Sequence, residues 1–288
     1  MAEPLDPKET VAKENKMEEQ YSKRLTNEKT QEFLISKYHK AFDLHEWLLQ
    51  SCMKCMDEGN VQLNDLMKNI VYMLFIKGFR TYWPILILCK QGFGVEASLI
   101  LRAQLNNLIA LNYIAKDDKR AIRYAEFESV FRKHGLDLLQ TSKTLEKEKK
   151  EELRKLDEEL SESIDQIRSK YGLKNPRPMD WPGCRIKKMA EDVGMDNDYN
   201  LVYGQLSELE HSGPGSVQRY AKIEGSDVVL EPGPSEEMIE IVLFTSFRYM
   251  FKMLEKTNEI VGLNANNLLE DADKRFREVY NSFILAHS

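Results

Sequence analysis

The sequence predicts an all-α protein: a bundle of helices around one buried central helix, with a single small β-hairpin as its only strand signal. Three observations carry that expectation. Apolar residues recur at spacings of three and four through most of the chain, the period of a helix face. Strand-like alternation is confined to residues 219–230. The strongest glycine and proline punctuation falls between long periodic runs: Gly59-Asn60, Gln91-Gly92-Phe93-Gly94 and Ser212-Gly213-Pro214-Gly215.

Taken in order, residues 1–7 read as a disordered lead and residues 8–29 as a charge-dense helix with a sparse stripe of Val11, Met17, Tyr21 and Leu25. From Gln31 to Met56 the pattern is amphipathic, with Phe33, Leu34, Tyr38, Phe42, Leu48 and Leu49 on one side. Val61 to Lys90 is a second long run, and Pro84 should kink it by removing a backbone donor. The central helix, 94–116, is apolar on every side, which places it in the interior. Asp117-Asp118 caps a helix from Lys119 to about Gly135. Residues 141–171 turn sharply charged, and Leu153, Leu156, Leu160, Ile164, Ile167 and Tyr171 trace one narrow seam. A seam that narrow wants a single partner helix, for which residues 8–29 and a second copy of the chain are the candidates. Gly172 to Gly183 is a proline-rich loop holding Trp181. Shorter helices follow from Arg185 and from Asp198 to His211, then the hairpin, then helices over 235–261 and 265–285. Residues 8–288 thus read as one helical domain, with 8–29 and 141–171 as a charged helix-pair projection.

Composition narrows the function classes. The chain has 288 residues, 42% of them hydrophobic and 31% charged, with a net charge of −6. That balance gives no general pull toward nucleic acid or anionic lipid. Four cysteines are too few for a disulfide framework at this length. The polar start is no signal peptide, and Lys77, Arg80 and Pro84 interrupt the greasiest stretch, Ile70 to Cys89. The expectation is a cytoplasmic protein with no membrane span and no membrane partner. Cys52 and Cys55 have zinc-like spacing but no second pair, so neither a metal nor another cofactor is expected. No glycine-rich phosphate loop or dinucleotide fingerprint occurs.

Two constellations could carry chemistry. On the central helix, Ser98, Arg102 and Asn106 share a face set among apolar neighbours. Arg102 cannot shed its charge, so it needs acceptors, a carboxylate such as Glu126, Glu208 or Glu210, or a bound anion. On the helix ending at His211, Tyr203, Ser207 and His211 follow at intervals of four. A helix C-terminus favours a protonated imidazole. Each set also has a plain structural reading, an internal ion pair for the first and a solvated polar face for the second.

Several stretches resemble an uncharacterised, largely prokaryotic family, domain of unknown function 5677. They are Leu88 to Ala97 running into Leu101-Arg102, Tyr124-Ala125-Glu126-Phe127, the Trp181 loop, and Tyr203 to Ser212. The resemblance covers about residues 60–225 and implies an all-helical fold. The family pattern usually reads Arg-x-x-x-Glu on the central helix, whereas this chain has Asn106. A looser, fold-level resemblance is to HEPN-type helical domains of toxin and antiviral ribonucleases, although their Arg-x4–6-His segment is absent here. Two functions follow as expectations. The first is a non-catalytic or regulatory helical protein acting through partner or self association by residues 141–171. The second is a metal-independent ribonuclease in which Arg102 binds phosphate, His211 is the general acid or base, and Ser98, Asn106, Tyr203 and Ser207 position the substrate. The acidic balance disfavours RNA as a partner.

Overall fold

In the computed structural model the described residues are 28–59, 61, 64–140, 147–210, 214–224, 227–230 and 233–287. They fold as helices α1 (Glu28–Glu58), α2 (Leu66–Lys90), α3 (Gly94–Ile114), α4 (Asp118–Glu126), α5 (Glu128–Gln140), α6 (Lys147–Tyr171), α7 (Ile186–Asp192), α8 (Asp196–Glu210) and α9 (Pro214–Gln218). Strands β1 (Ala221–Glu224) and β2 (Asp227–Leu230) follow, then α10 (Ile239–Val261) and α11 (Asn266–His287). The strands pair antiparallel with Ala221 opposite Leu230 and Glu224 opposite Asp227, so Arg219 and Tyr220 precede the hairpin. The chain is all-α in class.

Two compact units emerge. The first comprises the described residues up to 61, 75–108 and 198–287; the second comprises those within 62–74 and 109–197. The first unit is centred on α10, which buries twelve residues from Ile239 to Val261. Phe75, Tyr82 and Ile85 of α2, Leu105 and Leu108 of α3, and Leu34, Tyr38 and Leu48 of α1 are fully buried in the same unit. Buried hydroxyls return to their own helix: Ser98 donates to Val95, Ser246 to Leu243 and Thr257 to Met253. That disposes of a polar group without a distant partner.

The second unit has a smaller core. One cluster in it is Phe127, Val130, Ile164 and Ile167, with Tyr171, Leu173 and Trp181 packed at its margin, and Ile109, Leu111, Ile114, Met189 and Met195 are buried in the same unit. The narrow seam of α6 therefore meets Val130 of α5 and the preceding Phe127, while residues 8–27 lie outside the described residues. The helix expected over 119–135 is two helices, because Phe127 leaves the helical run where it turns into this core.

The central helix also departs from expectation. Its circumference is not closed: Leu99 is 41% exposed, and Ala103 is exposed beside it. By length and composition α2 could cross a membrane, yet half of its most apolar window is buried inside the protein.

Candidate functional site

Two glycines fix the entry of α3. Gly92 adopts φ +85°, and its carbonyl accepts a hydrogen bond from the Ser235 backbone at 2.8 Å. A Cβ on Gly94 would lie 2.3 Å from the Glu237 carbonyl oxygen. No side chain is tolerated at that approach without moving backbone. The turn that reads as mere punctuation in the sequence is thus the seat of the 234–239 segment.

Helix α8 is held in the same unit. It buries Val202 and Leu206, and Lys252 of α10 donates to Asp198 at 3.3 Å. This brings Tyr203 onto α3. The Arg102 guanidinium lies 4.2 Å from the Tyr203 ring centroid, and the Tyr203 hydroxyl donates to Asn106 Oδ1 at 2.5 Å. Tyr199, one turn before Tyr203, stacks on its ring at 4.2 Å with planes 22° apart. Guanidinium and ring attract through the ring quadrupole, and the hydrogen bond fixes the ring in place. All four side chains are half-buried. Burial raises the Tyr199 phenol pKa, the neighbouring Tyr203 adds to this, and Arg102 opposes it.

Three of the six sequence candidates, Arg102, Asn106 and Tyr203, come together in this way. Ser98 is fully buried with its proton given to Val95, so it faces its own helix and offers nothing to a substrate. The Ser207 side chain and His211 lie outside the described residues. Of the carboxylates considered for Arg102, Glu126 is engaged by Lys170 and Tyr171, both at 2.5 Å within the second unit. Sequence reasoning missed Tyr199, although its spacing of four from Tyr203 was a readable signal.

The first unit also encloses a titratable group away from this cluster. His45 is 1% exposed, stacks on Tyr82 at 5.1 Å and meets Phe247 edge-on at 5.7 Å. Burial pushes its pKa down to about 3, against a hydrogen bond to the Leu243 backbone that favours the charged form. Cys52 and Cys89 are likewise buried, which raises each thiol to about 12 and leaves them unreactive. Cys55 donates to the Leu263 carbonyl at 3.5 Å. Among the described residues no group of three or more metal-ligating side chains occurs. A groove of the first unit, about 1130 Å³, has much of its charge paired internally: Tyr38 and Lys37 with Glu236, and Arg219 with Glu237.

The second unit offers a different surface. Arg120 lies 3.9 Å over Tyr113 and bonds Asp192 at 2.6 Å, while Arg123 lies 4.2 Å over Tyr171 and donates to the Asp180 carbonyl. Trp181 packs edge-on against Tyr124 and Tyr113. These contacts pin the 172–185 loop. Beside it runs an open groove of about 680 Å³, lined by Phe131, Ile164, Arg168, Pro176, Pro178 and Met179 among others.

Residues 68–228, more than half of the chain, match the family of unknown function DUF5677. The chain belongs to that family. Arg102, Asn106, Tyr199 and Tyr203 all fall inside the DUF5677 span, as does the groove of the second unit, whereas α10 and α11 lie beyond it. No curated protein and no solved structure matches the chain. Neither finding supports the looser HEPN-type likeness.

Proposed function

We propose that this DUF5677 protein is a non-catalytic helical interaction protein that binds a protein partner, or a second copy of itself, through the α5–α6 unit. The observation that carries this reading is the exposed apolar edge of that unit. Phe131 is 66% exposed and Met179 77% at a groove that also takes in Ile164 and Arg168 of α6, and Leu138 of α5 is 61% exposed. Phe131 and Leu138 are seven residues apart and share a helix face. Clustered large apolar side chains rimmed by charge are the usual mark of a protein-binding surface. The groove belongs in part to residues 141–171, the segment whose narrow apolar seam first suggested association.

The catalytic reading needs Arg102 to face a phosphate. A guanidinium set on Tyr203, whose hydroxyl is held by Asn106, instead supports a role in fastening α8 to α3. Light scattering over a concentration series tests self-association, with wild type and a Phe131→Glu/Leu138→Glu variant compared at equal thermal stability. The expected result is association by the wild type that weakens at least about tenfold in the variant, the scale of losing two buried apolar anchors. A ribonuclease activity that disappears in Arg102→Ala with unchanged melting would overturn the proposal in favour of the enzyme.

A further inference from the structure

Helix α2 presents an outer face whose chemistry differs from the rest of the chain. Between Ile70 and Lys90 its exposed positions are Met73, Lys77, Arg80, Trp83, Pro84 and Ile87. At 100° per residue these fall within an arc of about 120°. Three are large and apolar: Met73 is 67% exposed, Trp83 48% and Ile87 51%. Two are cations, and neither Lys77 nor Arg80 is paired with a carboxylate among the described residues. The sequence of α2, LMKNIVYMLFIKGFRTYWPILILCK, has no aspartate or glutamate, in a chain whose net charge is −6.

We propose that this face of α2 docks on an anionic phospholipid surface, with Trp83 and Ile87 entering the headgroup region and Lys77 and Arg80 meeting lipid phosphates. An amphipathic helix lying in the interface needs this combination of cations beside tryptophan and bulky aliphatic side chains. The features that set α2 apart from a lipid-buried span are the ones surface docking uses. The cations stand in mid-helix, and the opposite side of α2 is occupied by Phe75, Phe79, Tyr82, Ile85, Leu86 and Cys89 in the protein core. A second copy is a poor occupant, because an isologous contact would set Lys77 and Arg80 against their own symmetry mates. The inference concerns a different face from the α5–α6 groove and does not rest on it.

The test is co-sedimentation of the full chain with two vesicle preparations, one of phosphatidylcholine alone and one of phosphatidylcholine mixed with phosphatidylglycerol. Tryptophan emission is read alongside. The protein should pellet with the anionic vesicles, release as salt rises, and show a blue shift that is absent in Trp83→Phe. Lys77→Glu/Arg80→Glu, both at exposed positions, should keep its melting temperature and lose at least about tenfold in partitioning. Equal binding to both vesicle types, no binding to either, or undiminished binding by the charge-reversed variant would each overturn the proposal. So would a change in oligomeric state of that variant without any vesicle binding, which would make the face a protein interface.

Discussion

Helices α10 and α6 are nearly the same length and are stabilised by opposite means. α10 buries twelve of its 23 residues, including Phe247 and Tyr249, in the core of the first unit. α6 has 25 residues, and among its described side chains only Leu160, Ile164 and Ile167 are buried. Its remaining surface is laced with ion pairs at helical spacing, such as Arg154 with Glu151 and Glu158, and Arg168 with Asp165. Exposed pairs of this kind contribute little to stability. The first unit is thus built to persist, and the second is built to remain soluble while keeping an apolar edge open. A binding surface tolerates that division better than a catalytic site would, since it needs presentation more than a rigid constellation.

The sharpest way to break the comparison is to cut each core. Phe247→Ala should cost about 3–5 kcal/mol in chemical denaturation, because the ring packs on Phe276 at 5.0 Å and on His45. Ile164→Ala should cost about 2 kcal/mol, the low end for an aliphatic truncation, because its small cluster is flanked by the partly buried Tyr171, Leu173 and Trp181, which can relax. Equal losses at the two sites would contradict the distinction.

A proton offers a second probe of the first unit alone. Folding lowers the His45 pKa from 6.5 to about 3, so the unfolded chain binds a proton that the folded one refuses. His45 therefore imposes no penalty above pH 6.5 and an increasing one as pH falls toward 3. Between pH 7 and pH 5 the wild type should lose ~2 kcal/mol more than His45→Phe, read as the difference between their denaturation curves. Parallel pH profiles would mean that His45 binds its proton equally in the folded and unfolded chain, contrary to its burial.

Smaller effects sharpen the role of the Arg102 cluster. Tyr203→Phe should cost about 0.5–1.5 kcal/mol by leaving Asn106 without its donor. Asn106→Glu should be tolerated, since a carboxylate accepts the same hydroxyl. If Asn106→Glu destabilises more than Asn106→Ala, the cluster is packed differently from the geometry seen. Arg154→Ala, at the exposed end of the comparison, should leave the melting temperature unchanged.

Much of the fold is legible in the sequence because local periodicity and caps decide helices. The runs from Gln31, from Arg185 and from Ala265 reappear as α1, α7 and α11 to within a few residues. Asp117 caps α4 as its residue type suggests, accepting from the Lys119 backbone. The meeting of Arg102, Asn106 and Tyr203 could be suspected from polar groups on apolar helix faces. What escaped depends on contacts distant in sequence. Gly94 against Glu237, Phe127 against Ile164 and His45 against Phe247 join residues whose spacing carries no signal. The seam of α6 was legible as a seam, but α5 as its partner was not, because a stripe specifies only that something apolar must cover it. The exposed stripe of α3 at Leu99 was hidden for the same reason: an apolar residue on the surface looks like any other in a sequence.

A partner bound at the open edge of the second unit would cover position 131. A photo-cross-linking side chain there, with the same group at the exposed position 277 of α11 as control, tests this directly in cells. The expected result is a discrete cross-link from 131, to one protein or to a second copy of the chain, that vanishes when Leu138 is also changed to Glu and has no counterpart at 277. Equal labelling from both positions, or none from 131 in correctly folded protein, would contradict it.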